Sequence, residues 1–388
     1  MNFRNYTIGI DASNVEGGAI THLTEMFYAI SPFDYANIKF VIWGKSKFKY
    51  AFFDKPNVEF IENDNVTTNY LARCKWGFYT LPRQIKIKKI DNLLVPGGVF
   101  FRKSCCVTTI CQNMLPFEYP EMMRFFARPR FFKFLLLRFL HIVSFSRSDG
   151  VIFLSDYARK HVANNKFVNL KSSCVIPHGI NKEFFNENKS NVKREIKLTN
   201  KRYNIVYVST IDLYKHQDKV ISAISGLRDV GHDIRVDFFG SAYEPALVKL
   251  RRKLSIVDPD SSWARYHGVV KYEELPAIYK NYDFAIFASS CENLPNIVLE
   301  TMASGLPLLS SDIGPMPDII KDGGIYFNPV SIEDIKEKLL EGINNPTRLL
   351  NKAIIAKQIA LNYSWENTAK ETIAYLTEIV DQKALNLE

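Results

Sequence analysis

Short apolar runs recur along this chain, each bounded by glycine, proline, serine or asparagine and separated from the next by polar or helical-period sequence. In the first half they are YTIGIDAS, IKFVIWG, DNLLVPGG, CCVTTICQ, GVIFLS and SSCVIPHG. In the second half they are YNIVYVST, IRVDFFG, ARYHGVV, DFAIFASS, LPLLSSD and GGIYFNP. Runs that are apolar throughout, rather than alternating, predict strands buried on both faces, and so parallel sheets covered by helices. Two such series predict an α/β protein of two doubly wound, Rossmann-like domains. The stretch 181–204 has little apolar periodicity and reads as the linker, giving domains over 1–180 and 181–364, while SWENTAKETIAYLTEIV near the end has helical periodicity.

Composition changes this picture little. A chain of 388 residues exceeds one ordinary core and suits two domains of about 150–200 residues. The opening MNFRNYTIGIDASN runs straight into a strand, without the charged start and sustained apolar stretch of a leader, so a cytoplasmic location is expected. The six cysteines show no C-x-x-C and no histidine-paired metal spacing, which predicts reduced thiols and no metal site.

Charge adds one local feature to a net +9. From Met122 to Ser148 there is no acidic residue, while Arg124, Arg128, Arg130, Lys133, Arg138 and Arg147 interleave with Phe125, Phe126, Phe131, Phe132 and Phe134. Two readings stand: an anionic membrane surface bound from the inner face of the cell membrane, or a buried helix with a basic flank. The basic residues interrupt any apolar run of about 18, which excludes a membrane span. Nucleic acid is not expected as a partner, because no binding motif accompanies the charge.

Candidate chemistry concentrates in SSCENLPNIVLETMASGLPLLSSDIGPMPD at 289–318, where Glu292 and Glu300 enclose seven residues. A helix starting near Leu294 leaves Glu292 in the preceding loop and puts Glu300 about two turns in on the same side, so that both carboxylates face one cleft. Helix-terminal N–H groups suit a phosphate and carboxylates accept from sugar hydroxyls, so the loop suits a nucleotide-linked sugar. The spacing alone equally describes two solvated glutamates. The surrounding residues decide: Ser290, Glu292, Pro295, Glu300, Met302, Ala303, Gly305, Pro307, Ser311, Asp312, Gly314 and Pro317, then GGIYFNP at 323–329, resemble the donor site of retaining glycosyltransferase family 4, of the GT-B fold.

The resemblance implies two domains facing across a cleft, an acceptor-side domain at 1–180 with the terminal helix 365–388 packing back on it, and a donor-binding domain at 181–364. HGI at 178–180 resembles the entry to the interdomain hinge. Glu292 is implied at the donor sugar, Glu300 at the ribose, and Asn293, Leu294, Pro295, Asn296, Ile297 and Val298 along the donor through their backbone. In YVSTIDLYKHQDKVISAI, Lys215 takes the place of the family's lysine, a mobile point charge neutralising the diphosphate leaving group. Ser209 and Thr210 stand where the family usually has glycine and arginine. Gly17 and Gly18 follow the first strand and let the backbone approach a phosphate. Asn113 stands near where many relatives carry a histidine or aspartate facing the donor sugar, so it is a candidate active-site residue, and His141 and His161 read as structural. DPD at 258–260 has the form of a metal-binding pair but reads as a loop. No cofactor is implied.

By resemblance, the function is metal-independent transfer of a hexose, with retention, from a nucleotide-diphosphate sugar to a saccharide acceptor. The basic aromatic segment points to a lipid-linked acceptor, polyprenyl-diphosphate-linked, in bacterial lipopolysaccharide O-antigen or capsule synthesis. Two alternatives remain open: a sugar-nucleotide epimerase of the same architecture, and a non-catalytic nucleotide-sugar binding protein.

Overall fold

The computed structural model describes residues 4–15, 17–31, 34–52, 55–67, 70–185 and 202–385. The chain divides into two compact units, Met1–Gly179 with Ser364–Glu388, and Ile180–Tyr363. Of the polar stretch 181–204, residues 186–201 lie outside the described residues.

In the first unit, β1 (Tyr6–Ala12), β2 (Ile38–Gly44), β3 (Val58–Glu62), β4 (Asn92–Val95), β5 (Cys106–Cys111), β6 (Gly150–Phe153) and β7 (Ser173–Val175) form one sheet in the order β3-β2-β1-β4-β5-β6-β7. In the second, β8 (Arg202–Val208), β9 (Asp233–Phe239), β10 (Ala264–Gly268), β11 (Phe284–Phe287), β12 (Leu308–Ser311) and β13 (Ile325–Phe327) are ordered β10-β9-β8-β11-β12-β13. Neighbouring strands pair in parallel, with Tyr6 opposite Ile38 and Arg202 opposite Asp233 in the first pair of each sheet. β4, β5, β6, β11 and β12 are buried at every position, which is why their sequences are apolar or small-residue runs, broken only by Asn92, whose amide is hydrogen-bonded to Thr108 and the Leu376 carbonyl.

Each predicted run contains an observed strand, and β3 is the strand the pattern missed. It lies at the sheet edge, where Val58, Glu59, Phe60 and Ile61 are half-buried and Glu62 is exposed, so two glutamates interrupt the apolar residues instead of being excluded.

The same turn-back occurs in both sheets. The chain lays β2 and β3 on one side of β1, then returns to lay β4 on the other; it does likewise with β9 and β10 around β8 before β11. The carboxyl ends of β1 and β4, and of β8 and β11, therefore bound the two topological switch points, the crevices where open α/β sheets bind ligands.

The terminal helix Trp365–Leu385 packs within the first unit, burying Ala369, Thr372, Ile373, Leu376, Ile379 and Val380. Asn92 donates from Nδ2 to the Leu376 carbonyl at 2.9 Å, and Tyr375 donates to Ser172 Oγ at 2.9 Å. The helix Pro129–Arg147 is two-sided. Phe131, Phe134, His141, Ser144 and Phe145 face the core, while Phe132, Leu136 and Phe139 are exposed at 64, 49 and 63%. Among the described residues no helix is long and apolar enough to cross a membrane.

His141 is stacked beside Phe117 and Phe145, and burial pushes its pKa down to about 4. His161 Nε2 lies 3.2 Å from the Phe117 carbonyl. The Asp258 carboxylate accepts from the amides of Ser262, Trp263 and Ala264 at 2.8–2.9 Å, so it scaffolds a loop.

Candidate functional site

The β8–β11 switch point is built from two loops pinned to each other. After β8, the Ser209 amide donates to the Phe239 carbonyl at 2.8 Å. Gly240 makes this possible: its φ is 135° and a Cβ there would strike the Ser209 carbonyl oxygen. Asp212 then caps the short turn Leu213–Lys215 by accepting from the Leu213 amide at 2.8 Å. His216 follows in the left-handed region, φ 50°, and its carbonyl accepts from Lys219 and Val220 to start the helix Gln217–Asp229.

Tyr207 fastens this loop to the one after β11. Its hydroxyl donates to the Lys215 carbonyl at 2.6 Å and accepts from the Ala288 amide at 3.1 Å. Ser290 adds further links, its amide and its hydroxyl donating to the Tyr214 carbonyl at 2.9 and 3.2 Å and its hydroxyl lying 2.8 Å from His216 Nε2. Ser311 donates to the Ser289 carbonyl at 2.6 Å from the neighbouring strand.

Lys215 and Glu292 meet in this frame as an ion pair, their side chains 9 and 14% exposed. The Lys215 ammonium also lies over the rings of Phe287 at 4.9 Å and Tyr214 at 5.2 Å. The expected mobile charge is therefore a fixed one, held by a carboxylate and two ring faces. Ser209 and Thr210 bring no cation: Thr210 Oγ1 lies 3.0 Å from Ser241 Oγ, and its carbonyl accepts from Gln217 Nε2 at 3.1 Å.

The helix carrying Glu300 spans Asn296–Ala303, so it starts two residues later than expected. Leu294 precedes a proline, which disfavours helical backbone, and Pro295 itself is extended with ψ 108°. Glu300 therefore lies just over one turn in. Of the expected backbone donors, Pro295 has no N–H, and the Val298 amide is already given to the Pro295 carbonyl at 3.0 Å.

The two carboxylates have different partners. Glu300, 3% exposed, accepts from the Tyr272 hydroxyl at 2.9 Å through Oε1, while its buried Oε2 has no hydrogen-bond partner among the described residues. Burial pushes its pKa up to about 7 against the opposing pull of that hydroxyl.

Gly17, Gly18 and Asn113 belong to the first unit. Gly17 caps the helix Gly18–Ala29 with φ 57°, and a Cβ at either glycine would meet nothing within 4 Å. Asn113 is exposed, and its Oδ1 accepts from the Leu115 amide at 3.0 Å, which makes it the pivot of a turn.

Residues 188–359 match the family Glycosyl transferases group 1. The matched stretch includes Lys215, Glu292 and Glu300. Sulfoquinovosyl transferase SQD2 of Arabidopsis thaliana is 28% identical over 198 residues, 48% of this chain and 36% of that protein. O-antigen chain mannosyltransferase B of Escherichia coli is 27% identical over 111 residues, 29% of each chain. This chain thus spans about a third of the length of these two relatives. The crystal structure of Anabaena HepE in complex with UDP and glucose superposes with a TM-score of 0.69 at 14% identity, over 97% of this chain and 100% of that one. At such identity the likeness is one of fold, and the fold is GT-B.

Within the region similar to group 1 glycosyltransferases, three residues were invisible to sequence reasoning. His216 sits next to Lys215, but its backbone conformation has no signal in a histidine codeable for any turn. Tyr272 reaches Glu300 from 28 positions away, and Tyr207 reaches Ala288 from 81. Only the strand order brings them together.

Proposed function

We propose that this chain is a retaining glycosyltransferase that moves a hexose from a nucleotide-diphosphate sugar to a saccharide acceptor, with 181–364 holding the donor and 1–180 the acceptor side. The observation that carries the proposal is the Lys215–Glu292 pair at the β8–β11 switch point, inside the stretch similar to group 1 glycosyltransferases. Lys215 sits beside the diphosphate, where negative charge grows as the bond from anomeric carbon to phosphate oxygen breaks. Glu292 positions the sugar. Glu300 receives the ribose hydroxyls on its unpartnered Oε2, which turns a desolvation cost into a hydrogen bond. The acceptor hydroxyl attacks on the face the phosphate leaves, and its proton passes to the departing phosphate oxygen. Gly17 and Gly18, with open space above their backbones, and Asn113 are the first unit's own candidate donor-contacting positions.

Thermal shift against nucleoside diphosphates and their sugars tests this reading, since a ligand at about 100 times its dissociation constant adds about 2.7 kcal/mol. A shift that Glu300→Ala removes is expected, followed by a product of retained anomeric configuration by NMR. No shift with any of these ligands overturns it, and a new sugar-nucleotide isomer formed without acceptor would identify an epimerase instead.

We further propose that the acceptor is lipid-linked, in bacterial surface-polysaccharide synthesis, and reached at an anionic membrane. The name of the Escherichia coli relative and the exposed stripe Phe132, Leu136, Phe139 on a basic helix support this. One of the charges there is neutralised, since Arg124 is paired with Glu121 at 2.5 Å. Arg138 and Arg147 keep theirs but are tied to the Pro116 and Phe101 carbonyls. The exposed Lys133 and the three apolar side chains are therefore the expected anchors. Phe132→Ser with Phe139→Ser should reduce sedimentation with anionic vesicles at least fivefold and leave the donor thermal shift unchanged; equal sedimentation would remove the membrane reading.

A further inference from the structure

The first unit's switch point holds a recess lined by charged groups to which the donor reading gives no role. Asp11 comes from the end of β1 and Gly97 from the loop after β4, so the recess lies where the strand order reverses. Trp76 forms one wall. It enters on the π-helical turn Trp76–Thr80, a rare element that recurs at functional sites. The turn is held close by Phe101, which packs so tightly over Gly77 that a Cβ there would collide with the ring.

The charges are set for a ligand. Both Asp11 carboxylate oxygens lie 3.3 Å from the Trp76 indole N–H, and the Ser13 amide approaches Oδ1 at 3.3 Å. These are long, shared contacts, so most of the carboxylate's acceptor capacity stays available, and burial pushes its pKa up. Arg73 and Arg102 also line the recess, both exposed and neither with an ion-pair partner among the described residues. A carboxylate that accepts hydroxyls, a wall of aromatic rings and two exposed guanidinium forks match a polyol bearing a phosphate, of which the recess, about 50 Å³ in volume, encloses the hydroxyl end while the phosphate stays at its mouth.

We infer that the recess bounded by Asp11, Arg73, Trp76 and Arg102 binds a phosphorylated saccharide, with the two arginines on the phosphate and Asp11 on a ring hydroxyl. That this ligand is the acceptor rests on the transferase reading; the binding itself does not. The exposed arginines make no hydrogen bond or ion pair among the described residues, so their removal is expected to leave the protein folded and its donor-induced thermal shift intact.

The test is calorimetry of the full chain with hexose 1-phosphates and 6-phosphates, against neutral hexoses, glucuronate and inorganic phosphate. Hexose phosphates are expected to bind at least tenfold more tightly than neutral hexoses and than inorganic phosphate, and more tightly than glucuronate. Arg73→Ala and Arg102→Ala should each weaken that binding at least tenfold, whereas Asp11→Asn should weaken hexose phosphate but not inorganic phosphate. Failure of every hexose phosphate to bind, equal binding of neutral hexoses or of glucuronate, or binding indifferent to both arginine substitutions overturns the inference. A donor shift without hexose-phosphate binding would sink this site alone, and hexose-phosphate binding without a donor shift would sink the transferase reading alone.

Discussion

At the crevice between β8 and β11, Lys215 is already matched by Glu292, whereas at the crevice between β1 and β4, Arg73 and Arg102 have no ion-pair partner among the described residues and Asp11 shares one indole N–H. The topology is the same in both places, and the electrostatics differ because the jobs proposed for them differ. A group that stabilises charge developing in a transition state works best when fixed beforehand, and Tyr207, Ser290 and the rings of Tyr214 and Phe287 fix Lys215. A group that only captures a charged ligand needs no such clamp. Its exposed guanidinium pays side-chain entropy on binding and exchanges water for phosphate oxygens.

Breaking the fixed pair should have the largest effect. Lys215→Met is expected to lower turnover by about 10²–10³. It also leaves Glu292 largely buried without its cation, at a cost of about 2 kcal/mol of stability. Adding Glu292→Gln removes the stranded charge, so the double variant should recover most of the melting temperature and none of the turnover. Turnover within threefold of wild type in Lys215→Met would show that the pair is structural only.

The contrast also explains what could be read from the sequence. Strands buried on both faces are legible because every residue must be apolar or small, as in FAIF of β11 and GVIF of β6. β3 was not, because an edge strand keeps its glutamates. Lys215 and Glu292 were each singled out, but their pairing was not, since it joins positions 77 apart through the adjacency of β8 and β11. Asp11 and Trp76 carried no local signal at all: one ends an apolar run and the other resembles a core aromatic, and they meet only across 65 residues. The basic segment misled in degree because the acid that neutralises Arg124 is Glu121, one residue outside the acid-free window.

Glu300 offers a sharper probe of how the second unit handles a buried charge. Its folded pKa of about 7 lies above the unfolded carboxylate range, so its contribution to stability is complete below about pH 4.5 and is lost as pH rises through 7. Glu300→Gln should therefore be more stable than wild type at pH 8, by up to about 3 kcal/mol, and equal to it near pH 4.5. Donor binding should move the other way. Ribose hydroxyls favour the ionised carboxylate, so wild-type donor affinity should rise from pH 6 to pH 8 with release of a proton, and Glu300→Gln should lose about tenfold in affinity and the pH dependence together. Calorimetry in buffers of different ionisation enthalpy measures that proton; its absence would remove Glu300 from the ribose.

A pair of glycines separates the two units, one through stability alone and the other through a smaller change in stability and binding. Gly240 and Gly17 both have positive φ, 135° and 57°, but their surroundings differ. A Cβ at Gly240 collides with the backbone at Ser209, whereas one at Gly17 points into open space. Gly240→Ala should accordingly cost about 3 kcal/mol, since neither the loop nor the strand beside it can move without disturbing the Ser209–Phe239 hydrogen bond. Gly17→Ala carries only backbone strain, since φ 57° with ψ −136° is a conformation that suits glycine, at about 2 kcal/mol. If the open space above Gly17 is where a phosphate approaches the backbone, the same methyl group should also weaken donor binding by the folded protein, by about tenfold, because it holds the ligand off the amides. Chemical denaturation and donor titration on the two variants measure both quantities, and a Gly17→Ala protein that binds donor as wild type does would leave that glycine a turn residue and nothing more.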